Sequence, residues 1–106
     1  MSYRFMRVMV MFDLPTVTAE DKCSYRMFRK KLIKDGFLMM QESIYVKIAI
    51  NPAAGEGIIN RVEKYKPKKG IIQVLTVTEK QFERMRFIVG EPSGDIVSSA
   101  ERLMIL

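Results

Sequence analysis

The sequence contains no histidine, no tryptophan and only one cysteine. Without histidine, Ser-His-Asp and Cys-His catalysis, imidazole general bases and imidazole-rich metal sites are excluded. The lone Cys23 permits neither an intrachain disulfide nor a cysteine-rich zinc site. It falls in a predicted helix and is expected as a small buried or half-buried side chain. A glycine-rich phosphate loop is missing, as are internal repeats and low-complexity segments. No apolar run is long enough to span a bilayer. The apolar stretch Met1 to Phe12 carries Arg4 and Arg7 and lacks a signal-peptide cleavage pattern, so a cytoplasmic location and no membrane partner are expected. Any chemistry must rest on carboxylates, lysines, hydroxyls or a metal held by oxygen.

The chain has 106 residues, of which 48% are hydrophobic and 28% charged. That suits a single domain over 1–106 with a real buried core. Eighteen Lys and Arg against twelve Asp and Glu give a net charge of +6. Such a balance favours an anionic partner, nucleic acid first and an anionic membrane surface second.

Hydrophobic alternation predicts a first strand over Phe5 to Phe12. Both its faces are largely apolar, with Met6, Val8, Val10 and Phe12 on one and Phe5, Arg7, Met9 and Met11 on the other, so it needs cover on both sides. Asp13-Leu14-Pro15 ends it. Thr18 with Asp21 resembles a capping box that opens a helix from Ala19 to Asp35, with Tyr25, Phe28 and Leu32 on one face. Gly36 follows as the left-handed residue past the helix end. Phe37 to Met40 and Ser43 to Ile50 read as strands, with Gln41-Glu42 open between a tight turn and a bulge. Asn51-Pro52 reads as an N-cap and first helical residue, and the second helix runs to about Lys64. Pro67 and Lys68-Lys69-Gly70 turn the chain into a strand over Ile71 to Val77. Thr78 and Gln81 mark a short helical turn. Met85 to Val89 is expected as a further short strand, and 83–106 as late strands and a tail linked to a dimer.

The order β-α-β-β-α-β predicts an α+β, ferredoxin-like sandwich, an antiparallel sheet with two helices on one face. The other face, apolar through Phe5, Met9 and Met11, is expected to pack on a second copy. Leu103 and Ile105 in the apolar tail join the expected dimer interface, because an unpaired terminal strand would be an exposed edge.

Asp13 is the candidate catalytic and metal-binding residue. Alone at a proline turn it also reads as an Asx-type turn residue. Across a two-fold axis, two Asp13 carboxylates would suffice for Mg²⁺, with Mn²⁺ as an alternative, and the metal could activate water against a phosphodiester. Lys22, Arg26 and Arg29, with Lys30 beside them, form a basic stripe on the first helix without i,i+4 acidic partners, which points to phosphate contact. Lys66, Lys68 and Lys69 form a second, weaker candidate cluster. The central strands lack the aromatic pairs of an RNA-recognition motif, so contacts would be to backbone and shape. The methionines in strands, among them Met6, Met9, Met11, Met39 and Met40, are expected to fill core or interface gaps.

The ordered set Arg4-Phe5-Met6-Arg7, Met11-Phe12-Asp13-Leu14-Pro15, Tyr25-Arg26-Met27-Phe28-Arg29-Lys30, Gly36-Phe37 with Gln41, Ser43 and Tyr45, Lys66-Pro67-Lys68-Lys69-Gly70 and Leu75 through Phe82 resembles the CRISPR-associated protein two family, its type II-A branch most. The segment from Gly90 to Leu106 contributes least. The resemblance implies a ferredoxin-like homodimer whose late strands extend the partner's sheet. It implies a bridge between dimers of the CRISPR integrase subunit, in a complex that holds duplex prespacer DNA for integration. It further implies, for some members, an Mg²⁺-dependent endonuclease acting on RNA or duplex DNA through the aspartate after the first strand, Asp13 here. Two functions therefore compete, an adaptor for DNA integration and a metal-dependent nuclease. A third, a ferredoxin-like regulatory domain binding a small anion, is disfavoured by the missing phosphate loop.

Overall fold

A computed structural model describes residues 5–91. Four strands and three helices follow in the order β1 (Met6–Asp13), α1 (Ala19–Lys34), β2 (Leu38–Gln41), β3 (Ile44–Ala49), α2 (Pro52–Lys64), β4 (Ile71–Thr78) and α3 (Glu79–Glu83). The strands form one antiparallel sheet in the order β2-β3-β1-β4. β1 is thus central, and β2 and β4 are the edges. This is the ferredoxin-like arrangement expected from the element order. No helix among the described residues is long and apolar enough to cross a membrane.

Local signals set the helix boundaries. Thr18 accepts from the Asp21 backbone N–H at 3.0 Å, and the Thr18 N–H donates back to the Asp21 carboxylate at 3.1 Å. This reciprocal capping box satisfies two orphan donors of α1. Asn51 caps α2 through Ala54 at 2.8 Å, with Pro52 at the first helical position. Thr78 and Gln81 repeat the box at α3. Gly36, at φ +99°, takes the left-handed conformation that turns the chain out of α1. The tight turn falls at Glu42–Ser43, and a separate irregularity in the β2–β3 register lies just before it, between Met39 and Gln41.

The core lies between the sheet and the two long helices. Val8, Val10 and Phe12 of β1 pack with Phe28 and Leu32 of α1, Tyr45 and Ala49 of β3, and Ile58 and Val62 of α2. Phe12 is the aromatic centre, meeting Phe28 edge-on at 5.2 Å and stacking on Tyr45 at 5.8 Å. Gly55 is buried where α2 packs on the sheet, beside Val8, Ala49 and Thr76. At the far end of the helices the half-buried Asp35 gathers Lys47, Arg61 and Tyr65. Lys47 Nζ reaches its carboxylate at 3.3 Å, Arg61 at 3.0 Å and the Tyr65 hydroxyl at 3.3 Å. Burial alone would raise the Asp35 pKa, but the hydrogen bond from Arg61 and the charges of Lys47 and Arg61 outweigh it and hold the carboxyl below the usual range.

Three sequence expectations are corrected. Met85 to Val89 is not a strand but an irregular segment with Phe87, Ile88 and Val89 exposed. A strand needs a ladder partner, and after β4 the chain turns through α3 away from the free sheet edge. Cys23 is exposed, because it points away from the Phe28–Leu32 stripe that faces the sheet. Met9 is already buried, at 8% exposure, within its own chain. It lies between Val46 and Leu75 in register, and α3 folds back over this end of the helix-free face. The expected interface residues Leu103 and Ile105, and most of the 83–106 tail, lie outside the described residues.

Candidate nucleic-acid and metal site

The helix-free face of the sheet carries Arg7, Met9, Met11 and Asp13 of β1, by strand alternation. In register beside them lie Ile44, Val46 and Ile48 of β3 and Ile71, Gln73, Leu75 and Val77 of β4. The two ends of this face differ. At one, Arg7 is buried to 2% exposure. Its guanidinium makes a bidentate pair with Glu79 at 2.7 and 3.0 Å and stacks 4.3 Å over the Phe82 ring, tying α3 down. At the other, Ile71 stands 60% exposed, and between the two ends Leu75, the register partner of Met9, is 52% exposed.

Asp13 sits at this second end. It is the last residue of β1, its side chain is exposed, and its register partner is Ile71. No ion pair among the described residues engages its carboxylate. The α2–β4 turn is pressed against it. Gly70, at φ +98°, lies so close that a Cβ would stand 2.6 Å from Leu14 Cδ2 and 2.8 Å from the Asp13 carbonyl oxygen. Only glycine combines this backbone conformation with this contact. Next to the turn is a 240 Å³ cleft walled by Leu14, Pro15, Ser24, Lys66, Lys68 and Lys69 among others. Lys69 Nζ stands 4.0 Å from the Asp21 carboxylate. The Thr18 backbone N–H holds the Asp21 carboxyl below the usual range against its partial desolvation, helped by the Thr18 hydroxyl and Lys69.

A divalent cation such as Mg²⁺ or Mn²⁺ takes oxygen ligands, and one or two carboxylates with water and substrate phosphate suffice. Asp13 fits as one such donor. Among the described residues no three acidic, histidine or cysteine side chains gather.

The two basic clusters flank α1, since Lys66, Lys68 and Lys69 share a cleft with Glu20, Asp21 and Ser24 of that helix. Lys22, Arg26 and Lys30 are exposed on α1. Arg29 is partly committed, since its Nε donates to the Tyr45 hydroxyl at 2.6 Å and its terminal nitrogen lies 4.0 Å from Met39 Sδ. That hydrogen bond pushes the Arg29 pKa further up, so it stays a cation. The contacts to β2 and β3 put the stripe over the β2 side of the sheet, whereas Lys66, Lys68 and Lys69 lead into β4 at the other edge.

The family model of the CRISPR associated protein Cas2 matches residues 6–85. The chain belongs to the Cas2 family. The match takes in Asp13, both basic clusters and all the described strands. Among its relatives, the CRISPR-associated endoribonuclease Cas2 of Treponema denticola is 46% identical over 101 residues, covering 95% of this chain and 100% of the relative. The protein of the same name from Streptococcus mutans is 48% identical over 101 residues, covering 95% and 93%. That of Ligilactobacillus salivarius is 45% identical, covering 95% and 100%. Such relatives fit the type II-A branch of Cas2 read from the sequence. The crystal structure of Streptococcus pyogenes Cas2 superposes with a TM-score of 0.58 at 22% identity, covering 79% of this chain and 99% of that one. A second Cas2 crystal structure gives 0.55 at 19%, covering 85% and 92%. At these identities the two structures speak to the fold, and they share it.

Sequence reasoning missed three features of this Cas2 chain. The exposed apolar pair on the helix-free face is Ile71 and Leu75, not Met9. Its signal was present, since Ile71 to Val77 is apolar on both faces just as β1 is. The closure of Gly70 on Leu14 and Asp13 and the Arg7–Glu79 pair join residues far apart in sequence, and no local pattern announces them.

Proposed function

We propose that this Cas2 chain acts on nucleic acid as a homodimer within CRISPR spacer acquisition. In this reading the dimer bridges integrase-subunit dimers, binds duplex prespacer DNA through its basic surfaces, and carries a metal-dependent endonuclease activity centred on Asp13. The observation that carries the reading is the corner where the exposed Ile71 lies opposite Asp13 in register, with the exposed Leu75 on the same face. An apolar patch at that place suits burial against a second copy. A second copy there brings two Asp13 carboxylates into one neighbourhood, the number that a hydrated Mg²⁺ or Mn²⁺ takes. Bound there, the metal would offset phosphodiester charge and make a water more acidic. The names of the relatives, CRISPR-associated endoribonuclease, support the nuclease part and favour RNA as a substrate.

The chain's own residues do the rest. Asp13 supplies oxygen ligation from a strand end that the sheet holds fixed. Lys22, Arg26 and Lys30 offer positive charge to a backbone without reading bases. The adaptor and nuclease roles separate at Asp13. In the Asp13→Ala protein, cleavage of RNA and duplex DNA in Mg²⁺ or Mn²⁺ disappears, while light scattering still reports a dimer and the assembled complex still integrates DNA. A mixed dimer with one altered chain cleaves at near-zero rate. Half-normal cleavage in that mixed dimer assigns a complete site to each chain and ends the shared-metal model. A wild-type protein that scatters as a monomer ends the dimer reading as well.

A further inference from the structure

We propose that the outer surface of the helix layer carries a phosphate-holding hollow for a nucleic-acid strand, formed where the last turns of α1 and α2 meet, with Lys31, Lys34 and Lys64 as its contacts. This rests on the reading that the chain binds nucleic acid, and not on the role given to Asp13.

The hollow has a fixed floor. Asp35, just past α1, takes Arg61 at 3.0 Å and the Tyr65 hydroxyl at 3.3 Å, both from the end of α2. These contacts bring the last turn of α1, with Lys31 and Lys34, alongside that of α2, with Arg61 and Lys64. Between the two turns lies an open hollow of 420 Å³, lined by these four cations, Asp35 and Tyr65. The Tyr65 ring leans on Phe28 at 5.9 Å, and Lys31 Nζ stands 6.0 Å from its centre. Past Lys31 and Tyr65 the hollow continues into a second one of 220 Å³, bounded by Ser24, Lys66 and Pro67, with Glu20 at its far end. Together they follow α1 from Glu20 to Lys34, about 21 Å at roughly 1.5 Å per residue. One strand of a duplex places a phosphate about every 3.4 Å of axis. The track therefore suits a run of phosphates and not a single one.

The charge balance in the hollow is one-sided. A cation in the last turn of a helix ordinarily answers the partial negative charge of that helix end, about half a unit. Two helix ends and the Asp35 carboxylate make about two negative units. Five cations face them, Lys31, Lys34, Arg61 and Lys64 from the helices and Lys47 from β3. Lys47 already donates to both the carbonyl and the carboxylate of Asp35, and the Arg61 guanidinium donates to the same carboxylate. These two settle Asp35 and the end of α1. Lys31, Lys34 and Lys64 are exposed and have no ion-pair partner among the described residues. About three positive units are left for a ligand. In the cleft beside Lys68 and Lys69, by contrast, Glu20 and Asp21 stand among the lysines, and the surplus is smaller. Lysines are point charges on flexible stems, so they hold a backbone without reading its bases.

The sheet stands between this hollow and Asp13, which belongs to the helix-free face. The two sites meet different phosphates, and a strand held on the helix layer is not thereby presented to Asp13.

The test is nucleic-acid binding by the full-length protein in EDTA, read by fluorescence anisotropy over a range of salt. The probes are a short single-stranded RNA and a duplex DNA of the same sequence. In the triple variant Lys31→Gln, Lys34→Gln, Lys64→Gln the salt slope falls by about 2 on RNA and by about 2.7 on duplex, the loss of three phosphate contacts. The set Lys80→Gln, Arg84→Gln, Arg86→Gln removes the same charge from exposed positions at α3. It lowers the slope by less than about 0.5, because charges far from the bound strand are screened. Equal falls in the two variants mean that net charge alone is at work and overturn the proposal, as does an unchanged slope in the first. A fall on one probe only names the form of nucleic acid that the hollow holds. The wild-type protein gives a second reading that needs no variant. Acylation of its surface amines, mapped by mass spectrometry, finds Lys31, Lys34 and Lys64 protected by bound probe and Lys80 not. If the probes bind and those three lysines stay as reactive as before, the hollow belongs to another anion, such as an acidic protein segment, and the proposal fails. A wild-type protein that binds neither probe ends the nucleic-acid reading as a whole, and this hollow with it.

Discussion

The two faces of the sheet are built from the same strands and end in opposite conditions. The helix-covered face is closed by the chain itself. Val8, Val10 and Phe12 lie under α1 and α2, and the aromatic rings of Phe12, Phe28 and Tyr45 fill the middle. The other face is closed at one end only, where α3 brings Glu79 and Phe82 onto Arg7. At its other end Ile71 remains exposed opposite Asp13, and Leu75 stays exposed in the middle of the face beside Met9. The first face answers for the stability of the fold. The second is a half-finished surface, and the finished half controls where the chain goes after β4.

The contrast is most sharply tested by substitutions graded across it. Phe28→Ala empties the centre of the covered face, where the ring is buried and packs on Phe12. A loss of about 3–5 kcal/mol is expected in urea unfolding, a large share of the stability of a domain this small. A loss below about 1 kcal/mol would mean that the core is not where the fold is held. Glu79→Ala strikes the closed end of the other face. It leaves the Arg7 guanidinium buried without its carboxylate, at a cost of about 2–3 kcal/mol. The same change loosens α3, so protease cleavage after residue 83 speeds up even in conditions where the sheet persists. If cleavage there is unchanged, the Arg7 pair does not hold the helix.

The acid response is smaller and belongs to the covered side. The Asp35 pKa is depressed in the folded chain by Arg61 and Lys47. Its contribution to stability is therefore full above the ordinary carboxylate range and fades as the pH falls through the lowered value. Asp35→Asn should flatten this acid limb below the ordinary carboxylate range in thermal melts, and an identical limb would place the acid sensitivity elsewhere. Smallest of all for the single chain is Leu75→Ser. Removing an exposed apolar side chain should leave monomer stability within about 0.5 kcal/mol, while light scattering shows the dimer shifting towards monomer. A destabilised monomer with an intact dimer would reverse the assignment of the two faces.

What could be read from the sequence was whatever one stretch of chain decides by itself. The capping boxes at Thr18 and Thr78, the Asn51-Pro52 start and the left-handed Gly36 are local bargains between a side chain and its own backbone. All were legible, and so was the ferredoxin-like order they punctuate. The strand expected over Met85 to Val89 failed because strand formation depends on a neighbour, and its composition carries no word of whether one is there. Asp13 was legible as a candidate from its position after β1 and from the family resemblance. That Gly70 closes against Leu14 and the Asp13 carbonyl was not, because the contact spans more than fifty residues of chain. The burial of Met9 within its own chain was hidden for the same reason, since its register neighbours Val46 and Leu75 come from distant strands.

Asp13 ends the central strand, which is bonded on both sides, to β3 and to β4. A carboxylate mounted there moves with the sheet and not with the loop that follows it. The orientational freedom that a flexible loop would surrender on meeting its ligand was already lost when the chain folded. Binding at such a position should therefore show a smaller entropic penalty than the exposure of the side chain suggests, and its rate should be set by how fast the nucleic acid arrives and not by how long the protein takes to get ready.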